Sequence, residues 1–249
     1  INGFAKKYKQ VGIIAIDPSS PFTGGALLGD RLRMQKAFEY ENVFVRSVAS
    51  KGSLGGLSTS TENISQLMEI FGMDLIIIET VGVGQAELDI METTDAVIVV
   101  LVPESGDSIQ AMKAGLMEIG DIFVVNKSDR EGADRAIEFI KSSLSFKKTL
   151  KDKERPVIKT SALKDTNIDN LISVIEKEKK LMTESGDLKI KKEYRNEKEV
   201  KDILRDLFIK SIDKYLNNIE NTNISPYEKA EEIFKKTGIN FTEDLWKKR

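Results

Sequence analysis

Through the first part of the chain, short unbroken apolar runs alternate with stretches whose apolar residues recur every three or four positions. The runs cover residues 11–16, 43–47, 75–78, 97–102 and 122–125. Several are apolar on successive rather than alternate residues, the pattern of strands covered on both faces, as in a parallel sheet. Between them, residues 30–40, 62–71, 108–119 and 134–144 carry helical spacing. Residues 157–158 make a short last strand and 168–176 a further helix. Strand–helix alternation of this sort predicts right-handed βαβ units, hence an α/β fold with a mostly parallel, doubly wound sheet.

The pattern changes after Glu176. The stretch EKEKKLMTESGDLKIKKEYRNEKE is mostly charged and reads as including an exposed linker. Val200, Ile203, Leu204, Leu207, Phe208, Ile212, Tyr215 and Leu216 follow at helical spacing and share one face. Ser225-Pro226-Tyr227-Glu228 fits a capping box with Pro at the first helical position, and Gly238 is a natural stop. The chain therefore divides into an α/β domain, residues 1–176, and a linker with a helical region, residues 177–249. The apolar stripe has two outlets: packing against the α/β domain, or contact with a second copy. At the other end, Ala5 to Tyr8 resemble the last turns of a helix already under way, with no start signal before them. The expectation is that further sequence precedes Ile1.

Composition narrows the chemistry. Among 249 residues, Lys plus Arg total 38 and Asp plus Glu 40, a net charge of −2. That balance exerts no global pull on nucleic acid or an anionic membrane. No apolar run approaches the roughly 18 residues that span a bilayer. The chain has no Cys and no His. Disulfides, metal sites built on thiolate or imidazole, and Cys- or His-based nucleophile or base chemistry are excluded within these residues. Oxygen ligands remain, and they suit magnesium.

Asn126-Lys127-Ser128-Asp129 directly follows an apolar strand, where ligand sites of α/β sheets lie. A carboxylate at Asp129 can accept two parallel hydrogen bonds from guanine N1–H and its 2-amino group, a donor pair that adenine lacks. The Lys127 stem can lie over the ring, and Asn126 can tie the loop together. A polar turn after a strand is the plain alternative. Lys159-Thr160-Ser161-Ala162 follows the last short strand, and a tight Ser161–Ala162 turn can present a backbone N–H to guanine O6.

Glu79-Thr80-Val81-Gly82 ends another strand. Glu79 can hold magnesium, directly or through water. Gly82 lets a bare backbone N–H approach a terminal phosphate, and glycines there permit a phosphate-sensing switch. An ordinary strand-to-loop turn is the alternative. Asp17 and Asp30 flank a loop containing Thr23-Gly24-Gly25, an arrangement that fits a metal-linked switch; equally, Asp17 can start a turn and Asp30 cap a helix. Lys113 follows the loop Pro103–Asp107 and can stabilise charge on a transferring phosphate, or it is a plain surface lysine.

Taken in order, IDPSSPFTGGALLGDRLRM, SKGSLGGLS, ETVGVGQAE, ESGDSIQAMKAG and NKSD resemble the MeaB/ArgK family of GTPases associated with methylmalonyl-CoA mutase. The likeness covers residues 1–170; the C-terminal helices match in position and character. It implies a P-loop GTPase of the SIMIBI class that binds GTP or GDP with Mg2+. It implies a chaperone of an adenosylcobalamin-dependent acyl-CoA mutase, gating delivery of intact cofactor and protecting or rescuing the mutase. Carried over by motif, Asp17, Asp30 and Glu79 would surround magnesium, and Gly82 would meet the γ-phosphate. Asn126, Lys127, Asp129, Ser161 and Ala162 would hold guanine, and Lys113 would support hydrolysis. The C-terminal stripe makes a homodimer the expectation, and the location expected is the cytoplasm if the source is bacterial, with mitochondria left open by the sequence expected ahead of Ile1. The family's Gly-rich loop ending in Gly-Lys-Ser/Thr is not found in these 249 residues. That loop and the first strand of the sheet are expected ahead of Ile1, and triphosphate affinity without them is expected to be poor. Two other readings stand beside this one: a nickel-insertion GTPase of the same superfamily, and a non-catalytic interaction module derived from a GTPase.

Overall fold

A computed structural model describes residues 1–18, 34–50, 59–80, 90–103, 115–146, 154–216 and 225–237. By contact the chain divides into Ile1–Lys189 and Ile190–Arg249.

In the first unit, the short helix α1 (Asn2–Ala5) leads into strand β1 (Val11–Pro18). A 3-10 turn (Gln35–Glu39), β2 (Val43–Ser50), α2 (Thr59–Ile70) and β3 (Leu75–Thr80) follow. β1 lies between the other two strands, parallel to both, with Val11 opposite Val43 on one side and Leu75 on the other. Its run of apolar residues fits that place: Val11, Ile13, Ile14 and Ala15 are all essentially inaccessible to solvent.

Next come β4 (Ile98–Leu101), α3 (Leu116–Ile119), β5 (Ile122–Val125), α4 (Ala133–Phe146), β6 (Val157–Lys159) and α5 (Ile168–Ser185). β5 runs parallel between β4 and β6 and is buried along its whole length. Phe123 on β5 sits in a cluster with Val99, Leu101, Met117, Ile137 and Ile140, and Ile78 of β3 packs against it. The turn into β5 carries Gly120 because a Cβ there would stand 2.6 Å from Phe123 Cζ and 2.9 Å from Val99 Cγ2.

The strands are parallel and joined by helical crossovers, so the α/β expectation holds. The described strands form two three-stranded sheets, ordered β2-β1-β3 and β4-β5-β6, because β3 pairs only with β1 and β4 only with β5.

Other elements depart from the sequence pattern for local reasons. Of the helix expected over residues 30–40, the described part is a single 3-10 turn. Of that expected over 108–119, only α3 is described, entered from Gly115 at φ 76°. The charged stretch after Glu176 is helical instead of linker-like: α5 runs on to Ser185, Gly186 turns at φ 83°, and α6 (Asp187–Leu216) starts at once. Lys, Glu and Leu are good helix formers, and spacing of charge such as the Lys180–Glu184 pair supports a solvated helix. Met182 also anchors α5, being buried.

In the second unit, α7 (Pro226–Thr237) begins with the expected capping box. The Ser225 backbone N–H donates to Glu228 Oε2 at 2.7 Å, and the Glu228 N–H donates to Ser225 Oγ at 3.3 Å. These bonds hold the Glu228 carboxyl below its ordinary pKa. Phe208 of α6 stacks on Phe234 of α7, with ring centroids 5.8 Å apart. Val200, Ile203, Leu204 and Leu207 of the same stripe remain exposed. Among the described residues, no helix is long and apolar enough to cross a membrane.

Candidate functional site

Two loops meet at the carboxyl ends of β5 and β6. Parallel pairing places Val125 opposite Lys159 and delivers Asn126 and Thr160 side by side. The Asn126 N–H continues the ladder to Leu101 O at 2.8 Å, the Thr160 N–H donates to Val125 O at 2.9 Å, and the Ser128 N–H donates to Thr160 O at 2.9 Å. Lys127 takes up a left-handed backbone, φ 57°, an uncommon conformation for a residue with a Cβ. Such outliers persist where the surroundings over-determine them, as these three bonds do.

Side chains then lock the loops together. Asn126 Oδ1 accepts from the Ala162 N–H at 3.0 Å and from Thr160 Oγ1 at 3.4 Å. Ser161 Oγ donates to Asp129 Oδ1 at 2.7 Å. Ser161 and Thr160 are almost fully buried, so their polar atoms have to find protein partners. The turn beyond is closed by reciprocal bonds between Ser161 and Thr166, at 3.1 and 3.0 Å. The Asp129 carboxyl is held below the usual carboxylate range, first by the Ser161 hydroxyl, then by its own backbone N–H and by Lys164.

A cavity of about 420 Å3 opens here, lined by Asn126, Lys127, Asp129, Arg130, Ser161, Ala162 and Leu163. Its size lies within the ~300–1,000 Å3 common for small-molecule sites. It offers an ionised acceptor, a long cationic stem and an apolar edge, the requirements of a flat ring bearing two adjacent donors. The five residues expected to hold a base are therefore gathered round one cavity. In this structure the Ala162 N–H donates to Asn126 Oδ1 and the Ser161 N–H to Thr166 O. Thr160, Arg130, Leu163 and Lys164 join the site without having been singled out. Leu163, 94% exposed at the rim, follows the Ser-Ala pair directly, and that adjacency was the available signal.

The phosphate-side candidates are described less fully. Glu79 is the penultimate residue of β3, opposite Ala15 of β1. Its Oε2 is buried and has no hydrogen-bond partner among the described residues. A carboxylate oxygen left so is costly unless something supplies a donor or a cation. Asp17 stands near the end of β1, in register with Ala49 of β2. The Asp17 side chain, Asp30, Gly82 and Lys113 lie outside the described residues. Among the described residues no group of three or more acidic side chains gathers.

The family described as "Methylmalonyl Co-A mutase-associated GTPase MeaB" matches residues 1–217. A candidate GTPase of Pyrococcus horikoshii is 44% identical over 236 residues, covering 91% of this chain and 74% of that protein. GTPase ArgK of Escherichia coli is 35% identical over 231 residues, covering 87% of this chain and 70% of that protein. The "Methylmalonic aciduria type A homolog, mitochondrial" of Caenorhabditis elegans is 33% identical over 242 residues, covering 91% and 60%. Among solved structures, HypB from Helicobacter pylori in complex with nickel aligns with a TM-score of 0.50 at 17% identity, covering 70% of this chain and 76% of that one. At that identity the likeness speaks for the fold alone.

Proposed function

Because the chain belongs to the MeaB family of methylmalonyl Co-A mutase-associated GTPases, we propose that it binds a guanine nucleotide at the β5–β6 cavity and uses GTP hydrolysis to chaperone an adenosylcobalamin-dependent acyl-CoA mutase. The observation that carries the base assignment is the Asp129 carboxylate, fixed by Ser161 at 2.7 Å and facing a cavity edged by Lys127 and Leu163. Two parallel acceptor lone pairs match guanine N1–H and the 2-amino group; adenine presents an acceptor at N1 instead. The mutase is proposed from the family's description and from no contact on this chain.

Magnesium fits the phosphate side as far as that side is described. The orphaned Oε2 of Glu79 is a hard oxygen donor in need of a cation, and Asp17 sits on the neighbouring strand. Glu79, with Asp17 and Asp30, would hold the ion, which when bound neutralises phosphate charge. Gly82 and Lys113 keep the roles proposed for them, a backbone donor to the terminal phosphate and a cation beside it. A nickel-inserting role is not favoured, because the chain holds no Cys or His. The apolar residues left exposed on α6 favour a second copy of this chain as their cover.

The test uses the product of the complete open reading frame. GTP turnover is followed with and without the cobalamin-dependent acyl-CoA mutase of the same organism, and with EDTA. The expected result is turnover that EDTA abolishes and that the mutase changes by at least about twofold. Turnover indifferent to the mutase, with no co-elution in any nucleotide state, would overturn the chaperone role. Light scattering on the same samples should give twice the chain mass, falling towards a monomer for Leu204→Glu combined with Leu207→Glu. A wild-type monomer would remove the dimer.

A further inference from the structure

The Asp129 carboxylate is gripped at both oxygens by one turn. Ser161 Oγ reaches Oδ1 at 2.7 Å, and Lys164 Nζ lies 3.3 Å from Oδ2. Lys164 is a surface lysine by exposure, but its backbone is not free to wander. The Ser161–Thr166 bridge closes the turn around it. Asp165 and Asn167 follow it at φ 52° and 62°, and Asn167 Nδ2 donates to Lys159 O at 2.7 Å.

Where the ammonium lies matters. Ser161, Ala162 and Leu163 line the cavity together with Asp129, whereas Lys164 does not. Lys164 thus meets the carboxylate without being one of the residues that line the cavity. An ionised carboxylate has about four lone-pair sites. Ser161, the Asp129 backbone N–H and Lys164 take up part of these, and the edge that remains is what donors arriving from the cavity can use. Resting on the guanine assignment above, we propose that Lys164 is a positioning residue: it holds the Asp129 carboxylate turned so that its remaining acceptor edge faces the paired donors of the base.

Lys164 is the charged side chain paired with this carboxylate, and Lys127 and Arg130 line the same cavity; Glu131 and Asp165 are neighbours of the two loops in sequence, and Lys159 of β6 is paired with Asp134 of α4 at 3.2 Å. Lys164 helps keep the Asp129 carboxyl acidic, after Ser161 and the backbone. A depressed carboxyl stays ionised, and so able to accept two donors, until the pH falls through its lowered value. Removing Lys164 raises that value, so base binding fails earlier on acidification.

The experiment titrates guanosine and xanthosine into wild type, Lys164→Met, Lys164→Arg and Asp129→Asn by NMR, at neutral pH and stepwise downwards. A nucleoside probe leaves the phosphate side out of the measurement. Lys164→Met is expected to weaken guanosine about two- to fivefold, the scale of a partly exposed ion pair, and to move the acid limb to higher pH. Lys164→Arg should restore both. Unchanged binding with an unmoved acid limb overturns the inference. Tighter binding by Lys164→Met overturns it too, since the lysine would then be a competitor of the base. If Asp129→Asn alters preference while Lys164→Met is silent, this inference fails alone. If Asp129→Asn is also silent, the guanine assignment fails with it.

Discussion

Asp129→Asn is expected to move base preference from guanine towards xanthine by about five- to 150-fold, the discrimination carried by one good bidentate pair. Guanine offers two adjacent donors, and an ionised carboxylate accepts both. An amide at the same place offers one acceptor and one donor. Xanthine, with N1–H beside a carbonyl oxygen, is the complement of that amide. Ser161 Oγ, now 2.7 Å from Oδ1, can still donate to the amide oxygen, so the side chain keeps its seat. Competition of GDP and XDP for the same site, by calorimetry on wild type and variant, checks it. An unchanged ratio of the two affinities counts decisively against guanine in this cavity.

Phe123→Ala is expected to lower stability by about 3–5 kcal/mol, the usual range for a fully buried aromatic residue. Its ring is inaccessible to solvent, it packs among side chains of β4, α3 and α4, and it lies over Gly120. A chain of this kind has about 5–15 kcal/mol in all, so the variant stands close to unfolding. Phe139 on α4, 36% exposed, is the control and should lose far less on truncation. Urea melts of the two variants decide it; a Phe123→Ala loss below about 1 kcal/mol refutes the packing described here. Base binding should weaken with stability, because β5 is the strand that launches Asn126 to Asp129.

Much of this was legible because buried parallel strands announce themselves. Residues 122–125 read as a strand and are one, and residues 11–16 and 75–78 lengthen only by the residues that approach the site. Extending β3 to Thr80 is informative, since it puts Glu79 inside the ladder instead of after it. Asn126, Lys127, Asp129, Ser161 and Ala162 were legible as a group because each loop follows a strand and the strands are neighbours. Lys164 was not, since nothing in its neighbourhood tells a lysine on a closed turn from one in solvent. The bond from the Ala162 N–H to Asn126 was not legible for a similar reason: its acceptor is distant along the chain. The charged stretch after Glu176 misled because charge density does not mark disorder; α5 and α6 are helical through it, and none of the α6 residues is buried.

The parallel register has a kinetic consequence. Val11 meets Leu75, and Asn126 meets Ala162 only across 36 positions of chain. Contacts so far apart close slowly, since the entropy of each intervening loop is lost before the ladder repays it. Helices such as α5 form on their own timescale, while the base cavity exists only once β5 and β6 have found each other. Competence to hold a ligand there is thus acquired late in folding, and a newly made chain passes through a period in which apolar strands are exposed and aggregation competes with completion.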